Sequence, residues 1–129
     1  MKKLTEEWLK AAKDDLDVIE RIIKDDHLSH IVAFHAQQSL EKLFKAVIEE
    51  YGIESQKIHK LVTLYGKIES FIGEEMDLQL LKTLDSLYIE ARYPGELGLL
   101  PGGRPTQEDA KRFYAYACSA FEKISKSLG

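Results

Sequence analysis

At 129 residues, with 44% hydrophobic and 31% charged side chains, the chain is long enough to bury one core and too short for two, so 1–129 is expected to be a single domain. That composition excludes an intrinsically disordered chain. A formal net charge of -4, from 22 acidic and 18 basic residues without a block of one sign, argues against nonspecific DNA binding.

The first residues, Met1 to Lys10, are charged and amphipathic rather than apolar like a signal peptide, and no later run approaches the ~20 apolar residues of a membrane span. A cytoplasmic protein without a membrane anchor is expected. In the first helix Thr5 is positioned to cap the start, and Leu9, Ala12, Leu16, Ile19 and Ile23 form one apolar stripe. Lys24 to His27 break the pattern, and Asp26 or Ser29 can cap a second helix that runs to Tyr51, where Gly52 stops it. A third helix is expected over 58–72, with Leu61, Leu64 and Ile68 inward and Gly73 at its end.

A fourth helix begins near Met76 or Asp77 and carries Leu80, Leu84, Leu87 and Ala91. It must stop by Tyr93, because Pro94 disfavours helical geometry in the residue before it. Residues 94–105 hold all three prolines and four of the eight glycines, a long irregular segment of the kind that often carries function. Thr106 caps the last helix, with Glu108 and Asp109 in its first turn and Ala110, Phe113, Ala117, Ala120 and Ile124 along its core stripe. No segment shows two-residue alternation, so the fold class is all-α, an up-and-down bundle of four to five helices.

The chemistry-bearing residues concentrate on the second helix. Val32, Ala36, Leu40, Leu43 and Val47 share one side of it, while Ile31, His35, Gln38, Lys42 and Lys45 gather on the other and Gln37 and Glu41 lie at the boundary. His35 reads either as a ligand contact or as a histidine bonded to a neighbouring helix. Lys42 and Lys45 read as ligand-binding cations or as a solvated face, and the glutamines as ligand contacts or interhelical hydrogen bonds. Arg92-Tyr93-Pro94 reads as a helix terminator or as a phosphate clamp, with Asp85 and Tyr88 in line to hold the arginine. The single cysteine, Cys118, lies in an apolar helical stretch, where a small packed residue is expected rather than a disulfide partner or a catalytic thiol. There is no phosphate-loop or dinucleotide glycine pattern and no zinc spacing. His27 and His30, beside Asp25 and Asp26, read as a solvated cap, so no metal and no cofactor are expected.

The stretch Phe34-His35-Ala36-Gln37-Gln38-Ser39-Leu40-Glu41-Lys42-Leu43-Phe44-Lys45-Ala46 resembles the signature helix of the HEPN family, the higher eukaryotes and prokaryotes nucleotide-binding domain. His59 to Leu64 and Tyr88 to Pro94 repeat the resemblance in family order. It implies an all-helical bundle, commonly a homodimer, often paired with a minimal nucleotidyltransferase in a toxin-antitoxin-like system and concerned with nucleotide or RNA. The ligand-binding residues it suggests are His35, Gln38, Lys42, Arg92 and Tyr93. Nuclease members carry an arginine with a histidine four to six residues later. Here no histidine occurs beyond His59, and the one pair with that spacing, Arg21 and His27, ends the first helix. The expectation is a noncatalytic partner protein with no catalytic residue assigned. The alternatives are a metal-independent ribonuclease toxin, with His35 or Tyr93 handling protons beside Arg92, and a structural dimeric adaptor.

Overall fold

A computed structural model describes residues 1–55, 57–92 and 104–129, the side chains of 90–92 excepted. Five helices carry it: α1 (Lys3–Ile22), α2 (Ser29–Tyr51), α3 (Leu61–Ile68), α4 (Leu78–Arg92) and α5 (Gln107–Leu128), with a short 3-10 turn at Asp26–Leu28 before α2. No strand occurs among the described residues.

Helix α2 is the central rod, in contact with each of the other four helices. Its sequence explains the position. Val32, Ala33, Ala36, Leu40, Leu43, Phe44, Ala46 and Val47 are completely buried, covering far more than the single stripe a surface helix buries. The alanines let neighbouring backbones approach closely, and Phe44 fills the space between α2 and Tyr65 of α3, with ring centroids 6.4 Å apart.

Cross-contacts fix the directions. Lys2 bonds Glu50 and Ser39 bonds Ala12, so α1 and α2 run antiparallel. Phe34 meets Tyr88 and Gln37 meets Asp85, so α2 and α4 do likewise. The start of α5 lies against the end of α1, where Gln107 donates to the Ile23 carbonyl, and its end returns to Met1. Together these make the expected up-and-down bundle.

Several helix ends differ from the sequence reading. Thr5 lies inside α1, completely buried, and its hydroxyl donates to Glu50 rather than capping the helix, whose flanking residue is Lys2. Neither Asp26 nor Ser29 caps α2. Ser29 is its first helical residue, and its hydroxyl donates to the Pro105 carbonyl at 2.6 Å, joining α2 to the approach of α5. Helix α3 spans Leu61–Ile68 rather than 58–72, and its first amides are capped from another helix. Three ends match: Gly52 stops α2 with φ 62°, a left-handed geometry that favours glycine; Asp77 accepts the Leu80 amide at the head of α4; and Thr106 forms a reciprocal capping box with Asp109 on α5.

Candidate polar seam along α2

Asp15 shares the buried stripe of α1 with Ala12, Leu16 and Ile19, and its side chain is only 9% exposed. An isolated carboxylate there would lose its hydration without compensation. Because α2 runs antiparallel alongside, two residues seven apart reach it: His35 Nδ1 lies 2.8 Å from one carboxylate oxygen and Lys42 Nζ donates to the other at 2.7 Å. A carboxylate only accepts, so His35 Nδ1 carries the hydrogen, leaving Nε2 as the ring's second polar atom.

A second buried acid repeats the arrangement. Glu41 accepts from Lys45, one turn along α2, at 2.8 Å, and from His59 Nδ1, on the connection into α3, at 3.0 Å. Lys45 also lies 5.5 Å from the centre of the Trp8 ring, a cation-π contact to α1. The two acids therefore each hold one ammonium and one imidazole along the edges of one helix.

Gln37 joins this seam to α4. Its amide nitrogen lies 3.2 Å from the His59 carbonyl, 3.3 Å from Asp85 and 3.4 Å from Glu41, and its carbonyl oxygen accepts from Gln38 at 2.8 Å. Two amide hydrogens shared over three acceptors make the longest of these contacts the weakest. Asp85 in turn accepts the Leu61 amide at 3.0 Å and the Val62 amide at 3.5 Å, capping α3 from α4. Burial pushes the Asp85 carboxyl above its ordinary range, against the bonds from Leu61, Gln37 and Val62 that pull it down.

Of the five residues singled out as ligand contacts, His35 and Lys42 meet on one carboxylate, and Gln38 enters the same network through Gln37. The Arg92 side chain and all of Tyr93 lie outside the described residues. Tyr88, one turn before Arg92, stacks on Phe34 at 5.3 Å, and Phe34 meets the edge of His35 at the same distance, so α4 passes beside the head of the seam. Lys42 and Lys45, read as ligand-binding cations or as a solvated face, have side chains 28% and 18% exposed, each paired with a buried acid. Asp85, read as in line to hold Arg92, accepts from the Leu61 amide of α3 and from Gln37.

Sequence reasoning missed Asp15, Glu41 as an ion-pair hub, and the reach of His59 back to α2. The signal for Asp15 was present, since an acid three residues after Ala12 and one before Leu16 falls on an apolar stripe. Cys118, expected to be a small packed residue, is half-buried beside Tyr114; burial raises its thiol, and the Tyr114 hydroxyl is pushed up to about 12, largely by burial. Among the described residues no three metal-ligating side chains converge, and no helix is long and apolar enough to cross a membrane.

The architecture of the described residues is a five-helix, all-α bundle whose central helix presents a seam of paired acids, imidazoles and ammoniums. The HEPN domain model matches residues 5–127, and the chain belongs to the HEPN family. An archaeal HEPN homologue solved by crystallography, ST0689, is similar over 100% of both chains, at 24% identity and a TM-score of 0.72. No curated protein matches.

Proposed function

We propose that this chain is a noncatalytic binding protein of the HEPN class, a nucleotide- or RNA-related partner of a minimal nucleotidyltransferase in a two-component, toxin-antitoxin-like pair, acting as a homodimer. One observation carries the reading: two buried acids hold His35, Lys42, Lys45 and His59 in fixed positions along α2, so donors suited to phosphate oxygens are oriented before any ligand arrives. Gln38 adds an amide to the same edge, and Arg92 and Tyr93 complete the set of proposed ligand contacts. The noncatalytic half rests on the sequence, in which no histidine follows Arg92 to supply the proton transfers of the family's nuclease pair. Nucleotides and short RNAs should raise the melting temperature of the wild type by mass action, and Lys42→Ala should abolish that rise. Copurification with a minimal nucleotidyltransferase encoded beside it tests the partnership. A wild type unmoved by nucleotide, RNA or nucleotidyltransferase leaves the structural-adaptor alternative.

A second reading is favoured by one distance. His35 Nδ1 at 2.8 Å from buried Asp15 is the carboxylate-imidazole pairing that orients a general base, which suits a metal-independent ribonuclease. RNA cleaved by the wild type and spared by His35→Ala would establish it; intact RNA beside wild type that binds it would remove it.

A further inference from the structure

A cleft of about 450 Å³ lies between α1 and α5, on residues that the α2 seam does not use. Its walls follow from helical period: Tyr114, Cys118 and Phe121, spaced four and three along α5, share one face, and Leu16 comes from the buried stripe of α1. Both rings pack against the core and still line the cleft. The volume is that of a small-molecule site between the helices of a bundle.

The charged rim selects the ligand. Lys13 is held by Asp17 at 2.7 Å, so that pair is neutral overall. The carboxylates of Glu20 on α1 and Glu122 on α5 have no hydrogen-bond or ion-pair partner among the described residues. Both act on the middle of the cleft: burial raises the Cys118 thiol most, and Glu20 and Glu122 push it the same way against the pull of Tyr114 and Lys13. Lys126, exposed and one turn beyond Glu122, is the one unpaired base of the lining among the described residues. Two unpaired carboxylates therefore outnumber one unpaired ammonium beside two aromatic rings, whose negative faces also attract cations.

We propose that this cleft binds an apolar organic cation, an ammonium carrying alkyl or aryl groups, with its charge facing Glu20 and Glu122 and its body against Tyr114, Phe121 and Leu16. Cys118, its thiol raised, serves as a soft apolar wall rather than as a nucleophile. The cleft shares no residue with the His35, Gln38 and Lys42 edge, so the proposal stands or falls independently of ligand binding there.

Full-length protein is titrated calorimetrically with benzyltrimethylammonium, benzoate and tetramethylammonium. The first should bind saturably at millimolar concentration or below. Benzoate, which keeps the ring and reverses the charge, and tetramethylammonium, which keeps the charge and lacks the ring, should each be at least about tenfold weaker. Glu20→Gln combined with Glu122→Gln, on exposed side chains, should weaken binding of benzyltrimethylammonium by about tenfold, and Tyr114→Leu, which keeps an apolar wall and removes the ring face, should weaken it by about fivefold. Cys118 is the only cysteine, so the rate of its alkylation by a maleimide locates the ligand, and benzyltrimethylammonium should slow that rate with the calorimetric midpoint. No saturable heat at millimolar ligand, benzoate matching benzyltrimethylammonium, binding indifferent to both the carboxylate and the ring variants, or binding that leaves Cys118 alkylation unmoved would each overturn the proposal.

Discussion

Asp15→Asn is the substitution that weighs the seam most directly. Two opposite charges about 3 Å apart at an effective dielectric near 20 attract by roughly 5–6 kcal/mol before desolvation, and removing one member of a fully buried pair costs roughly 3–5 kcal/mol. The Asp15 side chain is 9% exposed, but those of Lys42 and His35 are 28% and 24% exposed and can turn partly to water once released. The loss is therefore discounted to about 2 kcal/mol. With a urea slope of about 1–3 kcal/mol per molar for a chain of this size, the unfolding midpoint should fall by about 0.7–2 M with the slope unchanged. A cycle with Lys42→Met isolates the pair, since Met keeps the stem and removes the charge, and the double variant should recover about 1 kcal/mol or more of the summed losses. Strict additivity, or a single-variant loss under about 0.5 kcal/mol, would show that the contact contributes nothing and that the seam is not held by its acid.

Further outcomes follow from the same structure. Asp85→Asn keeps an acceptor for Leu61 and Gln37 and should stay within about 1 kcal/mol of wild type at neutral pH, whereas Asp85→Leu leaves those buried donors unmet and should cost about 2–4 kcal/mol in urea unfolding. Because burial raises the Asp85 carboxyl, the native state holds that proton more tightly than the unfolded chain; this group's contribution is full at low pH and declines as pH rises from about 4 through the raised value. Asp85→Asn should flatten that part of the stability profile. His30 is shifted the other way, lowered by burial and by Arg104 and His27, so its contribution is present above about pH 6.5 and is lost as pH falls through that region; His30→Leu should reduce the acid-side slope of melting temperature. Thr106→Ala removes the capping-box hydroxyl of α5 and should cost about 1 kcal/mol, with Thr106→Gly costing less, as read by urea midpoints.

The helices were legible where periodicity and end signals agree. Leu61, Leu64 and Ile68 of α3 and the Ala110 to Ile124 stripe of α5 are buried as their spacing requires, and Gly52 and Thr106 mark the ends they were expected to mark. Reading failed where a polar side chain bonds across helices rather than to its own backbone. Thr5 looked like a cap but bonds Glu50, 45 residues away, and the first amides of α3, which starts at Leu61 rather than 58, are capped by Asp85 of α4. The candidate site was half legible for the same reason. Polar residues on α2 could be placed on a common edge from helical period alone, but their partners Asp15 and His59 come from other segments, and no local rule pairs residues 20 and 18 positions apart. His35 bonded to a neighbouring helix and Gln37 bonded across helices are two of the plain structural alternatives, and both hold.

Histidine side-chain nitrogen NMR, with and without nucleotide, tests the central claim most directly, because the seam requires its imidazoles to be held by carboxylates and presented to a ligand. The rings of His35 and His59 should carry a hydrogen on Nδ1, protected from exchange by Asp15 and Glu41, and their Nε2 resonances should move when nucleotide or RNA is added. Rings with the tautomer mixture of free imidazole, unmoved by any ligand, would contradict it.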